Sequence, residues 1–230
     1  MAAELSLVAG GGFRTAEKRP KSIGLGKPFH PPVSLDSTLS ELFAAPRDGG
    51  WAGFLLPQFE PDKPVLWIQD RMAVREAGRV HPAGLGGLGL IHVEARDGRD
   101  ALWAMEEGLR CSALSAVIGE LWGDPAALDF TATRRLAVAA ERTGVPCWLV
   151  RLGGTANLSG AQMRWRVGSV PSLPHAFDHK APGAPAWDAE LFRARGFVPE
   201  RWSVACEAGR FHRLAVAGDR ALAKNDRRAA

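Results

Sequence analysis

The sequence predicts an α/β protein with a mostly parallel central sheet, flanked by helices and extended by antiparallel strands near the C-terminus. Three observations carry this. From residue 88 to 152 short apolar runs and helical patterns follow in the order strand, helix, strand, helix, strand. The runs are continuous, as parallel strands covered by helices on both faces are. After residue 152 the pattern changes to alternation, with Arg164 and Arg166 on one face of Met163-Arg164-Trp165-Arg166-Val167 and the apolar residues on the other.

In chain order, residues 1–34 read as an irregular arm, with Gly10-Gly11-Gly12, a Lys18-Arg19-Pro20-Lys21 run and prolines at 28, 31 and 32. Thr38-Leu39-Ser40-Glu41 has capping-box spacing and predicts a short helix ending near Ala45, followed by a turn over 46–50. Ala52 to Leu56 fits a short strand or a buried helical turn. Pro64 to Gln69 predicts a strand, Arg71 to Gly78 a short helix and Leu88 to Glu94 a strand. Residues 99–110 place Leu102, Met105 and Leu109 at helical spacing. Leu114 to Ile118 predicts a strand, 126–143 a helix closed by Gly144, and Val145 to Leu152 a further strand. The predicted core is 35–170. Four prolines over 171–186 predict a linker, and 187–230 a C-terminal interaction segment with a short helix near 188–196 and a hairpin about Gly209.

A composition of 46% hydrophobic and 23% charged residues supports a sizeable core. No run of eighteen apolar residues and no basic leader before an apolar stretch appear, so neither a membrane span nor a secretory signal is expected. Cys111, Cys147 and Cys206 are dispersed, which fits a reducing cytoplasm and opposes a disulfide framework or a CxxC metal site. His175 and His179 have ligand-like spacing but lie among prolines, so a solvated loop is the reading and no metal is expected. Residues 31–133 carry eight basic and fifteen acidic residues, and 134–170 six basic and one acidic. That asymmetry permits a nucleic-acid or acidic-protein partner.

The glycine-rich strings fail as nucleotide motifs. Gly84-Leu85-Gly86-Gly87-Leu88-Gly89 satisfies GxGxxG but precedes its strand, with no helix N-terminus where a pyrophosphate would sit. Gly24-Leu25-Gly26-Lys27 continues into Pro28 where a P-loop needs Ser or Thr, and no GxxxxGK[ST] occurs in the chain. GxSxG is also absent.

Residues 65–121, beginning VLWIQD, resemble the RecA core from the strand after the P-loop helix to the Walker B strand. The VLWIQD string, the glycine-rich run after it and RWRV at 164–167 together resemble the ImuA family of RecA-like mutagenesis proteins. The resemblance implies a RecA-like fold. It also exposes departures: no lysine followed by Ser or Thr before residue 65, Arg71 at the place of the catalytic glutamate, Gly119 at that of the Walker B aspartate with Glu120 one step later, and Leu152 at that of the phosphate-sensing glutamine. Phosphoryl transfer depends on such groups, so no ATP hydrolysis and no cofactor are expected.

The family resemblance implies a non-catalytic role in damage-induced (SOS) translesion DNA synthesis, beside an ImuB-type polymerase-like protein, an error-prone replicative-type polymerase and, as a further candidate, RecA. Trp187, Phe192, Trp202 and Phe211 are the candidate partner-binding anchors, since aromatics are favoured in hot spots, although each could equally pack on the core. Arg164, Trp165 and Arg166 are the candidate single-stranded DNA contacts, combining charge and stacking. A DNA-binding RecA-like protein, an active ATPase and a SulA-type cell-division inhibitor are the alternatives.

Overall fold

The structure is a computed structural model and describes residues 25–31, 38–175, 177–178 and 180–214. One ten-stranded sheet runs through it in the order β1-β10-β9-β8-β7-β2-β6-β5-β3-β4. Its parallel half comprises β2 (Leu39–Ala44), β3 (Val65–Asp70), β4 (Leu90–Ala95), β5 (Ala116–Trp122), β6 (Cys147–Leu152) and β7 (Met163–Val170). Its antiparallel half adds β8 (Ala186–Ala194), β9 (Glu200–Glu207), β10 (Arg210–Leu214) and β1 (Leu25–Pro28).

Helices α1 (Trp51–Leu55) and α2 (Arg71–Ala77) cover one face, where Trp51, Phe54, Trp67, Trp165, Trp187, Trp202 and Phe211 share a core. Helices α3 (Gly98–Gly108) and α4 (Phe130–Thr143) cover the other, burying Leu102, Met105, Leu136 and Ala140 with Leu39, Val117 and Leu149. Their starts follow capping chemistry: Asp97 accepts from the backbone N–H groups of Arg99 and Asp100, and Asp129 from that of Ala132. Gly144 closes α4 at φ +79°, a conformation that glycine adopts without strain.

Four expectations are corrected. Residues 39–44 form the central strand β2 and not a helix; burial between β6 and β7 overrides the capping-box spacing, and Glu41 turns to a buried arginine instead. Residues 188–196 are not a short helix, because β8 buries Trp187, Ala189 and Leu191 at period two. Part of the N-terminal arm is ordered, since Leu25–Pro28 pairs with β10 and Phe29 packs on Trp202. The segment from 187 onward is not set apart from the core: β8 pairs with β7 from Val170↔Ala186 to Met163↔Ala194, so the sheet runs straight past the 171–186 loop. The rest of the arm, residues 1–24 and 32–34, lies outside the described residues, as do His179 and the C-terminal tail from 215.

Candidate functional site

In an open parallel sheet ligands sit beyond the carboxyl ends of the strands. Here that place holds a crevice of about 600 Å³. It is lined by the turn after β2, by α1, by Trp67 and Gln69 of β3, Glu120 of β5 and Leu152 of β6, and by the 76–85 segment.

Strand β2 leads through residues 45–50 into α1, the strand–loop–helix arrangement in which a P-loop would lie. The turn is built for something else. Its residues, Ala45-Pro46-Arg47-Asp48-Gly49-Gly50, contain no lysine, serine or threonine. Asp48 accepts hydrogen bonds from the Ser169 N–H (2.6 Å), the Ser169 hydroxyl (2.6 Å) and the Gly50 N–H (2.9 Å). Burial pushes its carboxyl up, and the bonds from Ser169 and Gly50 together bring it below the usual range. The Trp187 indole N–H donates to the Gly50 carbonyl at 2.6 Å, and a Cβ on Gly50 would meet the Ser169 hydroxyl oxygen at 1.9 Å. The turn is thus clamped against β7 and β8 with a fixed negative charge where a phosphate would need donors.

The floor carries a buried polar network. Glu120 Oε2 accepts from the Trp67 indole N–H (2.9 Å) and the Gln69 amide (3.0 Å). Gln69 also donates to the Gly78 carbonyl and accepts from the Val80 N–H, both at 2.9 Å, which ties the crevice wall to the sheet. His92 Nε2 lies 3.0 Å from Gln69 Oε1; burial and the Arg79 charge hold that imidazole below its usual pKa. Burial pushes the Glu120 carboxyl up to about 7, opposed by its bonds from Trp67 and Gln69 and assisted by Asp70.

Gly119 is not the residue that faces the crevice: a Cβ there would meet Met105 Sδ at 2.1 Å, on the α3 side. The acidic side chain at the end of β5 is therefore Glu120, which corrects the register read from the sequence. Arg71 begins α2 as an exposed residue and is not part of the crevice lining, whereas Leu152 is. Among the described residues no cluster of three or more His, Cys, Asp or Glu could hold a metal ion.

Glu120 gives a testable pH dependence. An unfolded glutamate titrates near 4.5, so between 4.5 and about 7 the folded state keeps a proton that the unfolded state releases. Stability from this group is present at low pH and falls as pH rises through that window, by on the order of 3 kcal/mol. Glu120→Gln preserves the acceptor and removes the charge. Urea unfolding at pH 5 and pH 8 should show the variant gaining stability relative to wild type at the higher pH. Parallel pH profiles for the two proteins would contradict this.

The other sequence-predicted residues fall elsewhere. Trp187, Trp202 and Phe211 are core residues around Phe54 and Trp165, so they are not surface anchors. Phe192 is half-buried, with the Arg166 guanidinium 4.0 Å above its ring. Trp165 is fully buried, and Arg164, 4% exposed, pairs with buried Glu41 at 2.6 Å. Only Arg166 of the proposed DNA triplet is exposed, and Glu190 engages it at 3.1 Å. The triplet thus supplies no DNA surface as a unit, and the four aromatics do not form a patch.

No family model matches the chain. Two curated proteins do align with it: "Protein ImuA" from Caulobacter vibrioides strain NA1000 / CB15N, and the same protein from strain ATCC 19089 / CIP 103742 / CB 15. Each is 35% identical over 161 residues, covering 63% of this chain. This chain is similar to Protein ImuA over that stretch. The alignment spans 62% of the length of each ImuA relative. No described helix is long and apolar enough to cross a membrane.

Proposed function

We propose that this chain is a non-catalytic accessory protein of inducible mutagenesis, built on a degenerate RecA-like core and acting through protein contacts in a translesion-synthesis complex. Its relation to Protein ImuA supports the setting. The observation that carries the non-catalytic part is the turn after β2: it presents a clamped Asp48 where phosphate binding needs a lysine and open backbone donors. Glu120 alone, already bonded to Trp67 and Gln69, does not supply the missing charge stabilisation. An ImuB-type polymerase-like protein and an error-prone replicative-type polymerase are the proposed partners, with RecA a further candidate.

Purified protein is expected to release phosphate from ATP no faster than a buffer control, with or without single-stranded DNA, in a coupled phosphate assay. Turnover clearly above that control, abolished by Glu120→Ala, would overturn the reading.

A further inference from the structure

We propose that the outer groove between α3 and α4 is a docking site for an acidic amphipathic helix of a partner protein. The proposal rests on the reading that the chain works through protein contacts. The inward faces of both helices are spent on the core, through Leu102, Met105, Leu136 and Ala140. Their outward faces enclose a groove of about 310 Å³ with Val138 and Ala139 on its floor and Arg110, Arg134, Arg135 and Arg142 around it. Val138 is 45% exposed, and Trp103, on the outer side of α3, is 64% exposed. Neither burial nor an ion pair accounts for Arg134, Val138 and Arg142.

Charge selects the occupant. Glu106 is the one acidic lining residue, and Arg135 neutralises it at 2.8 Å. Arg110 pairs with Glu107 at 3.4 Å, while Arg134 and Arg142 form no ion pair among the described residues. Arg134, Val138 and Arg142 stand four residues apart on α4, so an apolar site lies between two uncommitted cations on a single stripe. A helix laid in the groove, with one apolar anchor on Val138 and carboxylates one turn to either side, matches that stripe. The apolar floor favours such a segment over a phosphate backbone, which has no anchor to bury there. The chain's own ends do not complement the groove: residues 1–24 and 215–230 each carry four basic and two acidic residues.

The test uses the full chain and a panel of labelled 18-residue amphipathic helical peptides with acidic flanks, basic flanks, or acidic flanks and the anchor changed to serine. An 18-nucleotide single strand is titrated in parallel by anisotropy. The acidic, anchored peptides are expected to bind saturably. Arg134→Glu/Arg142→Glu should weaken them at least tenfold, and Val138→Ser several-fold, whereas Arg193→Glu/Arg195→Glu, the same charge change elsewhere, should leave them within twofold. Because all these positions are exposed, circular dichroism should match wild type; Val138→Ser, which leaves the charges in place, tests the groove if the double reversal does not fold. Absence of saturable binding overturns the proposal, as does equal binding of basic-flanked or anchorless peptides. It also fails if only the nucleic acid binds and the reversal abolishes that. ATP turnover would sink the non-catalytic reading without touching the groove, and loss of peptide binding the reverse.

Discussion

Arg164→Ala should lower stability by about 3–5 kcal/mol, the usual cost of removing one partner from a buried ion pair. In a domain of this size that corresponds to a drop in Tm of roughly 6–20 °C. Glu41 is fully buried at the centre of the sheet, and its carboxylate is met by Arg164 Nε at 2.6 Å and the Ser159 hydroxyl at 2.8 Å. Without the guanidinium a carboxylate remains in an apolar setting with one neutral donor. The loss extends to packing, since the Arg164 guanidinium stands over the rings of Phe43 (5.2 Å) and Phe192 (5.4 Å). A well-packed apolar pair often replaces such a bridge at little cost, so Glu41→Leu/Arg164→Met should recover much of the loss. Thermal and urea unfolding of both variants check this. A single variant within 1 kcal/mol of wild type would show that the pair is not structural. The same reasoning bears on DNA-binding assays: an Arg164→Ala protein that binds less DNA would be reporting damage to the fold.

A chain ending at Pro182 should fail to fold. Such a truncation removes β8, β9 and β10 and takes Trp187, Leu191, Trp202, Val204 and Phe211 out of the core on the α1 face. Burying a large apolar side chain stabilises by about 1.5–3 kcal/mol. Five of them amount to on the order of 10 kcal/mol, comparable with the whole stability of a domain, about 5–15 kcal/mol. The remainder would suffer as well, because Phe54 would lose the Trp187 and Phe211 rings, Trp165 would lose that of Trp202, and β7 would become a long bare edge. Circular dichroism with a urea titration decides it; a cooperative transition near that of the full chain would mean the C-terminal strands are dispensable.

Strands β3 to β6 were legible because they are apolar runs bounded by glycine, proline and helical periodicity. What escaped was set by distant partners. Leu39–Ala44 contains Leu, Glu and Ala, good helix formers, and becomes a strand only because β6 and β7, more than a hundred residues later, close on both sides of it. Alternation in 163–167 correctly grouped Arg164 with Arg166, but it could not show that Glu41 would cover only the first. In the crevice, the missing lysine was plain from the string alone, whereas Glu120 needed the pleat of β5, since a strand buried on both faces shows no alternation from which to choose between residues 119 and 120. The basic groove was foreshadowed by the arginine excess after residue 133. Which face of α4 stays outside, and with it the exposure of Val138 between Arg134 and Arg142, is decided by the packing of Leu136 and Ala140 against the sheet.

The position of β2 has a consequence for how the protein is made. Ser40 pairs with Trp148 and with Met163, contacts separated by 108 and 123 residues of chain. At a synthesis rate of about 5–20 residues per second, the strand at the middle of the sheet leaves the ribosome roughly 5–25 s before either neighbour exists. Through that interval the 65–122 unit can assemble on local contacts, while Leu39 to Ala44 waits as an unpaired apolar segment, open to holding chaperones and to aggregation. Topologies dominated by such long-range pairing fold slowly. Because β2 lies between β6 and β7, the Glu41–Arg164 bridge and the hold of Ser169 on Asp48 cannot form until residues 164 and 169 have been made, and the Trp187 bond to the same turn comes later still.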